Sequence, residues 1–221
     1  MTERPAIDWG WIGENLDLIG ERLGEHVWLT VLAVVIGLAI AFPVAVQAYR
    51  HPRLYGPVTG VAGVIYTIPS LALFALLLPF TGLSTLTAEI GLVGYTLLIL
   101  IRNIVTGLRG VPEDARDAAR GMGYSDRQLL WKVDVPLALP AVMAGLRIAT
   151  VSTIGLVTVT ALIGKGGVGF LFLAGFRNLY PRATAIVLGL VLSMGLAIAA
   201  DGLLLGAQRV LMPWTRRAAR T

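Results

Sequence analysis

Residues Asp114–Pro140 read DARDAARGMGYSDRQLLWKVDVPLALP, and this charged segment separates two long apolar blocks. Pro112 suits a helix start, and the acidic residues after it favour the first turns electrostatically. Gly121 and Gly123 are expected to end that helix, and the Ser-Asp pair that follows can cap a second one. The segment therefore predicts a short helix, a sharp turn and an amphipathic helix that leads into the next apolar block at Pro136.

The chain as a whole is apolar: of its 221 residues, 56% are hydrophobic and 14% charged, and the mean hydropathy is +0.78. A soluble domain of this length needs a larger polar surface, so the composition indicates an integral membrane protein. The net charge of +5 comes from basic residues beside apolar blocks rather than from one continuous patch, which argues against nucleic-acid binding. Because cysteine is absent, disulfides and thiolate metal sites are excluded.

Five apolar blocks are long enough to cross a hydrocarbon core of about 30 Å as helices of roughly 20 residues. They cover approximately Val27–Ala48, Val58–Phe80, Leu86–Leu108, Ala138–Ile163 and Ala185–Leu211. The blocks lack the period-2 alternation of barrel strands. The predicted fold is therefore an all-α integral membrane protein with about five transmembrane helices.

The distribution of arginine and lysine predicts how these helices are oriented, since cytoplasmic segments carry an excess of both. The segments predicted to be cytoplasmic contain Arg50, Arg53, Arg102, Arg109, Arg116, Arg120, Arg127, Lys132, Arg209, Arg216, Arg217 and Arg220. This places the N-terminus outside and the loop between spans 3 and 4 in the cytoplasm. The first 26 residues are acidic and lack the basic start and short apolar stretch of a signal peptide.

The predicted organisation has three parts. Residues 1–26 form an N-terminal extracytoplasmic or interfacial segment, in which residues 10–25 are a candidate interfacial helix. Residues 27–211 form the transmembrane domain, which includes the loop at about 109–137. Residues 212–221 form a cytoplasmic basic tail.

The loop has two interpretations. Basic helices beside a membrane often lie against anionic lipid. However, Ala115, Ala118 and Ala119 leave one face of the first helix with little side-chain bulk, directly before the two glycines. A small-residue helix of this kind fits insertion into the cleft of a partner protein better than contact with lipid.

The spacing within the loop resembles a known pattern, the EAA loop of ABC-importer permeases. That pattern is Glu-Ala-Ala, three residues, Gly, nine residues, Ile, one residue, Leu-Pro. Every spacing is met here, and the departures are Asp for Glu, Val for Ile and Val for Leu. The matching positions are Asp117, Ala118, Ala119, Gly123, Val133, Val135 and Pro136.

The resemblance extends over about Val27 to Leu211. It points to a narrower group of permeases than the loop pattern alone does. Three further segments are similar to permeases of glycine betaine, carnitine, choline and proline importers. They are YTIPSLALFALLLPFTGL (Tyr66–Leu83), LIRNIVTGLRGVP (Leu100–Pro112) and TVSTIGLVTVTALIGKGGVG (Thr150–Gly169). The resemblance implies a permease subunit that moves a compatible solute into the cell by alternating access.

The same resemblance implies how such a chain works with partners. The loop would dock in a groove of a separate cytoplasmic ATPase, and Asp117, Ala118, Ala119 and Gly123 would belong to that contact. A second permease chain, identical or related, and an extracytoplasmic substrate-binding protein are also implied, in the cell membrane of a bacterium or archaeon. The sequence contains no Gly-x-x-x-x-Gly-Lys-Ser/Thr motif. No cofactor is therefore expected in this chain, and ATP and magnesium would be bound by the ATPase.

Polar residues within the spans are candidates for a translocation path. A helix broken at Pro69 would expose carbonyls towards a cavity, and a quaternary ammonium solute could contact an aromatic ring there by cation–π attraction. The candidates are Tyr66, Thr67, Ser70, Asn103, Thr153 and Thr158. For the asparagine, marking of membrane topology is the alternative. For the threonines, the alternative is a hydrogen bond to a helix carbonyl one turn back.

Two charged residues fall inside predicted spans. Arg147 is expected to extend towards the cytoplasmic interface, with pairing inside the bundle as the alternative. Asp201 is expected to hydrogen-bond or pair with an arginine rather than contact substrate.

Other functions are weighed against the importer. A permease for methionine or a sulfonate would change only the substrate. A membrane enzyme would have Asp201, His26 and His51 as candidate catalysts, but the two histidines fall at opposite ends of the first span. A passive channel would have no use for a loop that docks on an ATPase.

Overall fold

The computed structural model describes residues 7–212, and it contains helices but no strand within that range. The α-helices are α1 (Trp9–Glu14), α2 (Leu16–Arg50), α3 (Pro52–Thr67), α4 (Ser70–Thr81), α5 (Thr85–Arg109), α6 (Glu113–Gly121), α7 (Asp126–Leu129), α8 (Val135–Val157), α9 (Gly169–Phe176) and α10 (Arg182–Leu211). A π-helical segment, Leu130–Asp134, joins α7 to α8, and a 3-10 segment, Val159–Ile163, follows α8.

Four helical segments are long and apolar enough to cross a membrane: α2, α5, the continuous stretch Asp126–Val157, and α10. Helices α3 and α4 make a fifth span if they are counted together, although they bend by 95° at the break between them. The break falls at Ile68 and Pro69, as the proline predicts, because proline lacks a backbone N–H and its ring blocks helix continuation. The five predicted apolar blocks therefore correspond to the four spans and the bent pair.

The N-terminal region differs from the expected interfacial helix over residues 10–25. Helix α1 ends at Glu14, and α2 begins at Leu16 and continues without interruption through the first predicted span. No proline lies between Pro5 and Pro43, so nothing in this stretch forces the helix to stop. The described residues exclude 1–6 and 213–221, which hold the start of the predicted N-terminal segment and all but Met212 of the basic tail.

Helix α5 lies at the centre of the bundle and packs against α2, α8, α3 and α4. Small residues allow these helices to approach closely. A Cβ atom at Gly37 would lie 2.0 Å from the Thr96 hydroxyl oxygen, and one at Gly145 would lie 2.4 Å from the Asn103 Cβ. At Gly107 it would lie 2.8 Å from a backbone carbonyl oxygen of α8. The close α5–α8 contact fixes the two helices that carry the ends of the charged loop.

Candidate functional site

The charged loop begins with α6, which Pro112 precedes directly. The helix ends in two hydrogen bonds that define a Schellman motif. The Gly123 N–H donates to the Arg120 carbonyl at 2.9 Å, and the Tyr124 N–H donates to the Ala119 carbonyl at 3.1 Å. Gly123 has a φ of +80°, a left-handed conformation that glycine adopts without steric cost. The predicted sharp turn is therefore present, and Gly123 of the motif occupies the position that requires a left-handed backbone conformation.

The second half of the loop starts at Ser125, one of the two residues expected to cap it. The Ser125 hydroxyl accepts from the Gln128 N–H at 3.4 Å, and the Gln128 side chain accepts from the Ser125 N–H at 2.9 Å. This reciprocal pair is a capping box. The chain then passes through the π-helical segment, which contains the half-buried Val133, into α8. Pro136 follows directly in α8, next to the change from π-helix to α-helix.

The motif residues on α6 divide between two faces. Ala119 is buried against the rest of the protein, whereas Asp117, Ala118 and Gly123 are exposed. The Asp117 carboxylate accepts a hydrogen bond from Arg120 at 3.0 Å on the same outer face. The exposed face therefore combines a methyl group, a glycine turn and a paired carboxylate, with little side-chain bulk above the helix.

Arg116 holds the loop to the transmembrane helices, a role that the sequence analysis missed. Its Nε donates to Asp134 at 2.8 Å, Nη1 donates to Glu113 at 3.0 Å, and Nη2 donates to the Leu108 carbonyl at 2.6 Å. Arg116 is only 8% exposed and Asp134 only 4%. One guanidinium therefore links α6 to the end of α5 and to the π-helical segment that leads into α8.

The electrostatics of this cluster keep it charged. Burial alone lowers the pKa of Arg116, but hydrogen bonds to Asp134 and Glu113 outweigh that effect and raise it. Hydrogen bonds from Arg116 and then from Arg120 lower the pKa of Glu113. A buried ion pair of this kind is costly to break from one side, because the remaining charge is left without a partner.

A stacked pair adds a further attachment. The ring of Trp131, in the π-helical segment, stacks on Phe42 of α2 with ring centroids 5.6 Å apart. The Arg116 guanidinium also lies over the ring of Tyr49 at 5.6 Å. The loop thus contacts α2 as well as α5 and α8.

A cavity of about 340 Å³ lies at the break between α3 and α4. Four of the predicted path residues line it, namely Tyr66, Thr67, Ser70 and Thr153. The other lining residues are Ile68, Pro69, Tyr95, Ile99, Ala149, Ser152 and Leu156. Asn103 and Thr158 do not line this cavity.

Tyr95, which the sequence analysis did not select, organises the cavity. Its hydroxyl donates to the carbonyl of Ile68, which the helix break leaves without a helical partner. Its ring also meets the edge of the Tyr66 ring, with centroids 5.8 Å apart. The only signal in the sequence was a tyrosine in the middle of an apolar span.

The threonines of α8 and the 3-10 segment show both of the behaviours that were expected as alternatives. The hydroxyls of Thr150, Thr158 and Thr160 donate to helix carbonyls three or four residues earlier, at 2.6 to 2.8 Å. In contrast, the hydroxyls of Ser152 and Thr153 line the cavity and have no hydrogen-bond partner within residues 7–212. The polar lining of the cavity on α8 thus comes from these two residues.

Asn103 has a structural position in the described part of the chain. Its side-chain amide donates to the Ile99 carbonyl at 2.8 Å, and its Cβ packs against Gly145 where α5 meets α8. These contacts favour neither a path-lining nor a topology-marking role.

The residues considered for enzymatic catalysis have separate partners. His26 Nε2 lies 3.0 Å from the Ile154 carbonyl, and His51 Nδ1 lies 3.3 Å from the Gln47 carbonyl, on either side of the apolar part of α2. Asp201 accepts two hydrogen bonds from Arg147, both at 2.7 Å. Arg147 therefore pairs between α8 and α10, as the alternative for this residue stated, and the expected pairing of Asp201 with an arginine is confirmed. Within the described residues there is also no group of three potential metal ligands.

With this geometry established, comparison with known proteins identifies the family. Residues 33–216 match the family described as "Binding-protein-dependent transport system inner membrane component". The chain belongs to this family. It is accordingly a multi-pass inner-membrane component of a transport system, which confirms the resemblance found in the loop.

Characterised relatives cover most of the chain. The osmoprotectant import permease protein OsmW of Salmonella typhimurium is 37% identical over 90% of this chain and 94% of the relative. The glycine betaine/carnitine/choline transport system permease protein OpuCB of Bacillus subtilis is 34% identical over 87% of this chain and 88% of the relative. The choline transport system permease protein OpuBB of the same organism is 35% identical over 86% of each.

Solved structures confirm the fold. An inward-facing MetNI methionine ABC transporter matches with a TM-score of 0.69 and 22% identity over 90% of this chain and 99% of that chain. An amino acid ABC transporter solved with histidines matches with a TM-score of 0.70 and 18% identity over 92% of this chain and 98% of that chain. At these identities the likeness shows the ABC-importer permease fold, and nothing about substrate.

Proposed function

We propose that this chain imports a compatible solute, such as glycine betaine, choline, carnitine or proline, as the permease subunit of an ATP-driven transporter. The relatives named for osmoprotectant, choline, carnitine and glycine betaine transport support this substrate class. They favour it over methionine or a sulfonate, because the methionine transporter matches the fold at an identity too low to indicate substrate.

The charged loop is the proposed contact with a separate cytoplasmic ATPase. Asp117, Ala118 and Gly123 would lie in a groove of the ATPase, and the buried Ala119 would set how closely α6 sits on the spans. The single observation that carries this assignment is the Arg116 cluster, which ties the exposed face of α6 to α5 and to the start of α8. Closure of the ATPase would then move these helices with the loop.

The cavity at the α3–α4 break is the proposed part of the translocation path. Tyr66 supplies an aromatic face, and Ser70, Ser152 and Thr153 supply hydroxyls. A quaternary ammonium group has no hydrogen to donate, so aromatic faces attract it better than hydrogen-bond acceptors do. The cavity lining thus suits a solute with a methylated cationic head and a polar end.

The complete transporter would contain more chains. One loop in this chain serves one ATPase, so two permease chains, identical or related, would pair with two ATPase subunits. ATP and magnesium would be bound there, and an extracytoplasmic binding protein would deliver the solute. The N-terminus would lie outside and the loop in the cytoplasm, as the basic residues indicate.

Solute uptake tests this proposal. The complete transporter would be produced in a host that lacks its own osmoprotectant importers, and uptake of labelled glycine betaine would be measured at high osmolarity. Uptake that vanadate inhibits, and that choline or carnitine but not methionine competes, is the expected result. An assembled complex that takes up methionine, or none of these solutes, would contradict the proposed substrate class.

A further inference from the structure

Helices α8 and α10 carry an ion pair that the cavity at the helix break does not include. Arg147 Nε donates to Asp201 Oδ1 and Nη2 donates to Asp201 Oδ2, each at 2.7 Å. Two parallel hydrogen bonds of this kind form the bidentate geometry in which a guanidinium recognises a carboxylate. The site is therefore built to hold a carboxylate group.

The pair lies deep in the membrane-spanning region. Arg147 is twelve residues beyond Val135 and Asp201 ten residues before Leu211. At 1.5 Å per residue, these positions are about 18 Å and about 15 Å along their helices. Both positions are therefore well inside helices that are long enough to span a hydrocarbon core about 30 Å thick. Charged side chains at that depth face a bundle interior or a water-filled cavity rather than lipid.

The pair is not sealed within this chain. The side chains of Arg147 and Asp201 are 28% and 37% exposed. They line a cavity of about 500 Å³ together with Ala144, Ile148, Val151 and Ser152. Ser152 also lines the cavity beside Tyr66, so the two cavities lie on adjoining faces of α8. The cavity of the ion pair thus adjoins the proposed path through Ser152.

We propose that Arg147 and Asp201 form a second binding site on the path, specific for a zwitterionic solute that carries both a carboxylate and a fixed positive charge. The solute carboxylate replaces Asp201 on the Arg147 guanidinium, and the freed Asp201 faces the cationic head. The charges balance before and after this exchange, so no unpaired charge is left in the membrane interior. This inference rests on the proposed function, because it assumes that such solutes enter the path.

Glycine betaine and choline make a matched pair of probes, since both carry a trimethylammonium group and only glycine betaine has a carboxylate. The complete transporter in proteoliposomes would be compared with the double variant Arg147→Gln and Asp201→Asn, which removes both charges and leaves neither unpaired. Glycine betaine uptake is expected to fall by at least about tenfold, the effect of losing hydrogen bonds to a charged group. Choline uptake should fall by less than about twofold, because choline has no carboxylate for Arg147 to bind.

Equal loss of both activities would overturn the proposal, because a purely structural pair affects both solutes alike. Unchanged uptake of both would overturn it as well. If the unaltered transporter takes up neither solute, the proposed substrate class fails and this site with it. The site is therefore tested separately from the substrate class only when the unaltered transporter takes up both glycine betaine and choline.

Thiol accessibility gives a second readout that does not depend on turnover, and the native chain has no cysteine to interfere. Val151→Cys lies in the cavity lining one helical turn from Arg147, and Leu203→Cys lies on α10 outside that lining. In the complete transporter, a water-soluble thiol reagent should modify Val151→Cys, and glycine betaine should slow that reaction while choline does not. Leu203→Cys should show no such protection. An unreactive Val151→Cys would show that water does not reach this cavity, and would overturn the proposal.

Discussion

The charged loop and the cavity at the α3–α4 break use polar groups in opposite ways. In the loop, Arg116 directs three nitrogen atoms to three acceptors, and both ends of the capping box are paired. In the cavity, the hydroxyls of Ser152 and Thr153 have no partner within residues 7–212. A fully satisfied polar network is stiff, whereas unpaired hydroxyls beside an open volume are free to bind a solute. Under the proposed function, the comparison separates an element that would transmit force from a surface that would contact the solute.

Substitution of the loop glycine should have the largest effect on transport. Gly123→Arg places a long charged side chain on the exposed face; a Cβ there meets no atom within 4 Å, and the φ of +80° adds a local strain that the asparagine control shares in part. The chain should insert and fold, but docking should fail, so uptake and solute-stimulated ATPase activity should both fall to background. Gly123→Asn is the matched control, because asparagine tolerates the left-handed conformation better than most residues. Normal stimulated ATPase activity in Gly123→Arg would contradict the assignment of the loop.

Removal of the Arg116 guanidinium tests whether the loop must be held rigidly. Arg116→Met leaves the buried Asp134 carboxylate without its partner, which costs about 3–5 kcal/mol for a pair of this kind. Thermal unfolding of the purified complex should shift to lower temperature, and less solute should be imported per ATP hydrolysed. Arg120→Met is the control, since Arg120 pairs only with exposed carboxylates on the outer face. Equal effects of the two substitutions would argue against a special role for the buried cluster.

Loss of the Tyr95 hydroxyl should have a moderate effect that is centred on the cavity. Tyr95→Phe removes the hydrogen bond to the partly buried Ile68 carbonyl, and a hydrogen bond of this kind contributes about 0.5–1.5 kcal/mol. The transporter should unfold at a lower temperature and import solute more slowly. Tyr66→Phe keeps the ring and removes a hydroxyl that has no partner among the described residues, so it should change stability little. A Tyr95→Phe variant as stable as the parent would contradict the role given to this hydroxyl.

The smallest expected effect concerns recognition of the cationic head by Tyr66. Tyr66→Leu removes the aromatic face from the cavity and should raise the KM for choline uptake by about two- to thirtyfold, which corresponds to ~0.5–2 kcal/mol of cation–π attraction. Tyr66→Phe should retain most of the affinity. If leucine and phenylalanine at this position give the same KM, the ring makes no contact with the solute.

Local patterns in the sequence predicted much of the molecule. Apolar block length indicated the spans, Pro69 indicated the break, and glycine and serine indicated the ends of the loop helices. These features depend on residues close together in the chain. The main difference of this kind was the interfacial helix expected over residues 10–25, because α2 begins at Leu16 and continues through the polar residues into the first span.

Contacts between distant residues could not be predicted in the same way. Arg116 and Asp134 are 18 positions apart, and Arg147 and Asp201 are 54 apart. Their pairing depends on how α6, α8 and α10 pack, and charge alone does not indicate which partner each residue finds. The partner of Tyr95 is a backbone carbonyl, which carries no signature in the side-chain sequence.

Site-specific cross-linking tests most directly whether the charged loop docks on an ATPase. The natural absence of cysteine allows single thiols to be placed in an otherwise unaltered chain. Met122→Cys lies on the exposed face beside Gly123, and Leu83→Cys is an exposed control in the connection between α4 and α5, predicted to be outside. A short thiol cross-linker should join Met122→Cys, but not Leu83→Cys, to the ATPase in membranes. Cross-linking through Leu83→Cys, or none through Met122→Cys in an assembled and active complex, would contradict the proposed coupling.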